Sequence, residues 1–271
     1  MPRRQLRKYL IGEFTWKRPI RSVGLVYAAV SLYLFFFADG MIFLPPPPSY
    51  TDDTSILKIP SSQGRTIAAT YLPKATAKYT ILYSHGNATD LGQLMPTFQI
   101  LNEAGFSVFA YDYQGYGLSE GRPTEHNTYQ DIEAAYQYLV DDLNTPPENI
   151  IVYGRSVGGG PSTYLAAQQP TVGLILESTF TKAFQVVVPI KLLPFEKFPN
   201  IDRLKQVRRP VLIIHGTADN TIPFEHGKQL YETANAPKQF VAITGADHND
   251  LIWTDEITYV QAIQTFAESL P

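Results

Sequence analysis

The 271-residue chain contains no cysteine. That excludes a disulfide framework, a thiolate metal site, a cysteine nucleophile and an S-acyl anchor. It leaves the compartment open. Charge is sparse as well, at 17% of residues. With 44% apolar and 13% aromatic residues the composition is that of a globular chain. It excludes a disordered chain, a collagen-like repeat and a coiled coil. No internal repeat is visible, and the length suffices to bury a real core.

The net charge of −3 hides an asymmetry. Residues 1–21 hold seven basic side chains and one acid, and the remainder carries −9. An acidic body behind a basic tail argues against nucleic acid as a partner and suggests a tail that meets phospholipid.

Residues 23–37, VGLVYAAVSLYLFFF, carry no charge. As a helix they reach only about 22 Å, short of a bilayer core of about 30 Å. Extension past Asp39 to Leu44 supplies the missing length. Pro45–Pro48 then stops any helix. Three readings fit: a retained signal-anchor, a cleaved signal peptide with small residues at Ala38-Asp39-Gly40, or a buried core helix. The basic flank favours the first two, and a retained single-pass anchor is the expectation. The positive-inside rule then puts the N-terminus in the cytoplasm and the body on the opposite face. The expected order is a basic tail (1–21), a transmembrane helix (22–44), a proline-rich stiff spacer (45–54) and a catalytic domain (55–271).

From residue 55 onward the chain alternates strand and helix signals. Apolar runs of strand length fall at 56–59, 66–72, 79–84, 106–111, 149–153, 172–176, 210–214 and 239–243. Helical patterns fall at 90–103, 126–143, 157–169, 182–193, 223–234 and 255–269. Runs such as ILYSHG and NIIVYG read as parallel strands buried on both faces. The expectation is an α/β fold with a mostly parallel eight-stranded sheet and helices on both faces. The first two strands, with no helix between them, are expected to pair antiparallel at one edge. Ligands in such sheets gather at the carboxyl ends of the strands.

One of those ends carries Gly154-Arg155-Ser156-Val157-Gly158, a G-x-S-x-G pattern. Alone it is weak. Here it follows the strand NIIVY and opens a helical stretch, as a nucleophile elbow requires. Glycines at 154 and 158 give the tight turn room, and a helix N-terminus stabilises developing negative charge. Ser156 is the candidate nucleophile.

A hydroxyl needs a general base. Of five histidines, His85 and His215 sit in His-Gly turns and are read as structural. His126 starts a helix, and His226 lies within one, facing solvent or a partner. His248 follows the last strand across a short loop and is the candidate base. The acid should lie between serine and histidine in the chain. Asp219, just after the strand VLII, is preferred, with Glu177 the rival. Asp247 stands too near His248 to reach its Nδ1. An oxyanion hole would use the N–H groups of Val157, next to the serine, and Asn87, in the loop after the third strand. No cofactor is required, and no two histidines stand at metal-ligand spacing.

The order of serine, aspartate and histidine loops resembles the α/β-hydrolase superfamily over residues 55–270. The stretches YSHGNATDLGQ, YDYQGYGLSEGRPTE, GRSVGGGP, HGTADNTIP and GADHND are closer still. They resemble the membrane-associated α/β-hydrolase-domain proteins whose better-known members are serine depalmitoylases, and their relatives with an N-terminal membrane segment. The resemblance implies Ser156, Asp219 and His248 as nucleophile, acid and base, with Asn87 and Val157 at the oxyanion. It makes 112–119 (DxxGxGxS) a structural turn. The animal depalmitoylases carry an acylated, cysteine-rich N-terminus, whereas this chain offers an apolar helix.

The crossover from Glu177 to Pro210 leaves room for one helix and a short lid. It is rich in Phe180, Phe184, Val186, Val187, Val188, Leu192, Leu193, Phe195 and Phe198. These could line an acyl groove or pack on the sheet. The expected function is a membrane-anchored serine esterase, lipase or thioesterase acting on small-molecule or acyl, lipid-like esters. A serine peptidase or amidase, and a non-catalytic scaffold, are the alternatives.

Overall fold

A computed structural model describes residues 17–188 and 190–271. The basic side chains before Lys17 lie outside the described residues. The first helix, α1 (Lys17–Ile42), starts five residues before the expected segment and ends two short of it. It includes an apolar stretch, Pro19–Ile42, long enough to cross a membrane. Most of its large side chains are exposed, among them Leu25, Val26, Phe36 and Phe37. That is not the burial of a core helix.

Eight strands follow: β1 (Ile56–Pro60), β2 (Thr66–Leu72), β3 (Thr80–Ser84), β4 (Ser107–Tyr111), β5 (Ile150–Arg155), β6 (Gly173–Glu177), β7 (Val211–Gly216) and β8 (Lys238–Ile243). They form one sheet in the order β1-β2-β4-β3-β5-β6-β7-β8. β1 and β2 pair antiparallel at the edge, β2 meets β4 antiparallel, and the rest is parallel. The eight strands fall within two residues of the apolar runs. The reason is the period of two: Ile151, Tyr153 and Ile175 enter the core on one face, and Val152, Leu174 and Leu176 the core on the other.

The covering helices are α2 (Leu91–Glu103), α3 (Glu125–Gln137), α4 (Gly159–Gln168), α5 (Ala183–Val187), α6 (Asn200–Leu204), α7 (Phe224–Thr233), α8 (Leu251–Thr254) and α9 (Glu256–Glu268). Asp90 caps α2 through the Gln93 N–H, and Thr124 caps α3 through the Asn127 N–H. The helix expected over 182–193 is only α5. Prolines at 189, 194 and 199 leave no uninterrupted run for a longer one.

The stretch after α1 does not stand off as a free spacer. The Ser49 N–H and hydroxyl both donate to Asp90, and the Tyr50 hydroxyl donates to Asp112. Phe43 is buried between Tyr116 and Phe198. The 112–119 turn serves this docking. Gly117 has φ +48°, and a Cβ there would strike both Asp112 and Tyr50.

Asp131, buried in α3, accepts from the Ser61 hydroxyl and from the backbone and side chain of Gln114. Burial outweighs these donors and raises its carboxyl to about 6. The native state thus holds this proton more tightly than the unfolded chain. The group favours folding below its ordinary pKa of 3.8, and that contribution is lost as pH rises through about 6. The unfolding free energy of wild type minus that of Asp131→Asn should therefore fall from about pH 4 to about 6. Parallel denaturant titrations read it, and a pH-independent difference would mean that the carboxyl titrates normally.

Candidate active site

β5 delivers Ser156 to the carboxyl end of the sheet, where a single turn (Ser156–Gly158) leads into α4. Ser156 has φ +53°, a left-handed conformation that costs a non-glycine residue about 1–3 kcal/mol. Packing holds it there. The Thr179 hydroxyl donates to Ser156 O at 2.6 Å. A Cβ on Gly158 would run into the carbonyls of Ser84 and His85, and one on Gly154 would lie 2.5 Å from Gly158 O. Glycine at both positions is a steric requirement of the elbow.

His248, in the loop after β8, has Nε2 2.9 Å from Ser156 Oγ. Its Nδ1 is 2.8 Å from Asp219 Oδ2, in the loop after β7. A carboxylate there accepts a hydrogen bond from Nδ1–H, which keeps the proton on Nδ1 and leaves the Nε2 lone pair to accept the serine hydroxyl. Asp219 also accepts the N–H groups of Thr221 and Ile222 and lies 3.3 Å from His215 Nε2. Burial alone would raise its carboxyl. The hydrogen bonds from His215 and His248 outweigh that and hold it well below the usual carboxylate range. Asp247 ties the two loops together, accepting from the N–H groups of Asn220 and His248.

Glu177 is turned away from the imidazole. It accepts from the hydroxyls of Tyr153 and Tyr259 and pairs with Arg155 at 3.2 Å. His85 serves its own turn, donating to Gly86 O, whereas His215 Nε2 donates to Ile222 O and also lies against the Asp219 carboxylate. His126 is exposed. His226 does not face solvent. It is buried against Thr181, whose N–H it accepts, because α7 turns this face onto the crossover.

Asn87 and Val157 line the pocket above Ser156 together with Ile42, Phe180, Ala183, Val186, Val187 and Ile222. Its volume is about 360 Å³. Among the described residues neither backbone N–H has an acceptor in the protein. Two donors left free beside a serine hydroxyl can hold an oxyanion, each worth about 3–4 kcal/mol in the transition state. The Asn87 side chain has a separate task. Its amide donates to Ile42 O, and its carbonyl accepts the Leu44 N–H. The end of α1 is thereby pinned to the pocket rim.

Arg155 was not legible as a site residue. Its guanidinium reaches Glu177, the His248 carbonyl (3.0 Å) and Asn249 Oδ1 (2.7 Å). It bridges the serine turn to the histidine loop. Arg155→Gln should lower kcat about 10–100-fold through misplacement of the imidazole, with KM little changed. An unchanged kcat would mean that the other loop contacts hold His248 unaided.

This sheet, the serine on a strained elbow and the histidine and aspartate loops beside it define a serine hydrolase of the α/β-hydrolase fold. Residues 75–198 match the family profile described as serine aminopeptidase, S33. The chain belongs to the α/β-hydrolase domain-containing protein 17 family. It is 39% identical over 245 residues to the human protein 17B, covering 79% of this chain and 85% of that one. It is 42% identical over 179 residues to mouse protein 17C, covering 65% and 56%. Among solved structures it resembles an esterase of Pyrococcus furiosus at a TM-score of 0.70 and 16% identity, covering 84% of this chain and 99% of that one. An esterase domain from Rhodothermus marinus matches at 0.61 and 20%, covering 78% and 97%. The last two likenesses are of fold.

Proposed function

We propose that the protein is a membrane-anchored serine hydrolase that cleaves carboxylic esters or thioesters of acyl, lipid-like substrates. The observation that carries this is the Ser156–His248–Asp219 hydrogen-bond chain below an apolar pocket rimmed by Ile42, the last residue of α1. Ser156 Oγ attacks the acyl carbonyl while His248 Nε2 takes its proton. Asp219 orients the ring and supports its positive charge. The N–H groups of Asn87 and Val157 receive the oxyanion. His248 then protonates the leaving group, and water, deprotonated by the same imidazole, releases the acyl-enzyme. No cofactor takes part.

Anchoring is supported by the length and exposure of α1 and by Lys17, Arg18 and Arg21 at its start. With those residues cytoplasmic, the catalytic domain lies on the opposite face. Retention is favoured over cleavage. Ala38 is buried, and Asp39 pairs with Lys197 and accepts the Glu125 N–H. After alkaline carbonate extraction the protein should stay with the membrane pellet, and release would remove the anchor.

The substrate class is tested with p-nitrophenyl esters from acetate to palmitate. Each methylene buried in the pocket contributes about 0.8 kcal/mol, so kcat/KM should rise up to about fourfold per carbon until the pocket is filled. An optimum at acetate would exclude long acyl chains as the substrate.

A further inference from the structure

The loop that carries Asn87 is fastened to the segment leaving α1 at two places. The Asn87 side chain makes the first attachment. Its amide donates to Ile42 O at 2.6 Å, and its carbonyl accepts the Leu44 N–H at 2.9 Å and the Tyr116 hydroxyl at 2.5 Å. The Tyr116 hydroxyl also accepts the Leu44 N–H, at 3.1 Å. The second attachment lies past the proline run. The Ser49 N–H donates at 2.6 Å to Asp90, the cap of α2. The Tyr50 hydroxyl donates to Asp112, whose other oxygen accepts the Leu91 N–H and lies 3.2 Å from His85 Nε2. Residues 85–91 are thus held at both ends through Asp112 and in the middle through Asn87.

The proline run joins the two attachments. Leu44 precedes Pro45–Pro48 and Ser49 follows. Each proline fixes φ at about −65° and has no N–H to satisfy, so the span has little freedom to lose when it docks. Phe43, 3% exposed between Tyr116 and Phe198, seats its start. The prolines act as a strut.

The two oxyanion donors differ in what holds them. Val157 belongs to the elbow, where the close packing of Gly154 and Gly158 fixes the backbone. The Asn87 N–H has no acceptor among the described residues, so its direction is set by whatever fixes the residue that bears it. Ala88 behind it has φ +54°, a left-handed turn that the Asn87 carbonyl supports by accepting the Ala88 N–H. An oxyanion donor must be held to within about 0.5 Å of its working position. We infer that residues 42–50 form a positioning strap for the oxyanion hole. The end of α1, acting through the Asn87 side chain, aims the Asn87 N–H at the developing oxyanion, and the catalytic site is complete only with this segment docked. This rests on the reading of that N–H as an oxyanion donor. Tyr116 does not line the pocket, so it acts through Asn87.

The test uses the full chain in detergent micelles, with rates normalised to active sites titrated to completion by a fluorophosphonate. Asn87→Ala keeps the backbone N–H and removes the hold of the strap. It should lower kcat on p-nitrophenyl butyrate about 10–100-fold with KM within about twofold, since a misaimed donor weakens the transition state alone. Tyr116→Phe keeps the ring and its packing and should cost about 3–10-fold in kcat, the worth of one hydrogen bond. In the Asn87→Ala background the same change should cost about twofold or less, because the hydroxyl works through a side chain no longer there. A trifluoromethyl ketone, whose hemiketal oxygen occupies the oxyanion hole, should bind each variant more weakly in proportion to the fall in kcat/KM. Lys197→Gln breaks the pair with Asp39 at the same helix end without touching the loop, and should stay within about twofold of wild type. An unchanged kcat in Asn87→Ala, an equal Tyr116→Phe loss with and without Asn87, or a Ki that stays put while kcat falls would overturn the strap and leave the hydrolase standing. A wild type that takes no fluorophosphonate label, or binds the trifluoromethyl ketone no more tightly than the matching methyl ketone, would remove the oxyanion reading and the strap together.

Discussion

Ser156→Ala is expected to lower kcat on every ester by about 10⁴-fold or more and to abolish covalent labelling by a fluorophosphonate. The variant should remain folded. The introduced alanine would take the same backbone, held by the Thr179 hydroxyl and the close packing of Gly154 and Gly158, and would lose only the bond to His248. The variant's residual rate above the uncatalysed reaction would report what the oxyanion donors and pocket contribute alone. Labelling that persists would move the nucleophile elsewhere. Ser162 and Ser178, the neighbouring serines, are fully buried, so a peptide map of the adduct would be decisive.

The second large effect is expected at Asp219. In Asp219→Asn the side-chain oxygen can still accept the N–H groups of Thr221 and Ile222. The amide nitrogen would then face His248 Nδ1 as a donor. The imidazole would answer by carrying its proton on Nε2, where it donates to Ser156 rather than accepting from it. A wrong tautomer of this kind costs about 10⁴ in kcat while binding is kept. Glu177→Gln is the control, because Glu177 makes its bonds to Arg155, Tyr153 and Tyr259 and none to His248. The acid assignment predicts that kcat falls far more at 219 than at 177, with KM nearly constant at 219. The reverse order, measured under saturating short-chain ester, would return the role to Glu177.

The sheet was legible because its strands are buried on both faces. Residues 150–155 and 211–216 are apolar almost throughout, a pattern that solvent-facing strands do not show. The elbow was legible because its geometry forces glycine at 154 and 158, and steric necessity leaves a mark in sequence. The histidine and aspartate could be ordered because each loop follows a strand whose place in the sheet is fixed.

The crossover was legible only in composition. Its phenylalanines and valines could equally line a groove or pack on the sheet, and both occur: Phe180 and Phe198 turn inward, Val187 and Leu192 outward. No periodicity separates the two in a proline-interrupted stretch. His226 reads in the sequence as facing solvent or a partner, because a short amphipathic helix does not declare what packs against its polar side, and here Thr181 does. Arg155 gave no signal, since an arginine beside a serine has no necessary partner until the histidine loop arrives.

By itself the sequence determined the strands, the class of fold, the tight turn at Ser156, the candidate acid and base, and a helix of membrane length, because each depends on local periodicity or on a steric need at one position. Only the tertiary structure decided that Asp219 rather than Glu177 meets the imidazole, that Arg155 joins the serine and histidine loops, and that α1 ends on the rim of the pocket. Those outcomes depend on contacts between segments far apart in the chain, and whether such side chains meet is set by the packing of the whole sheet.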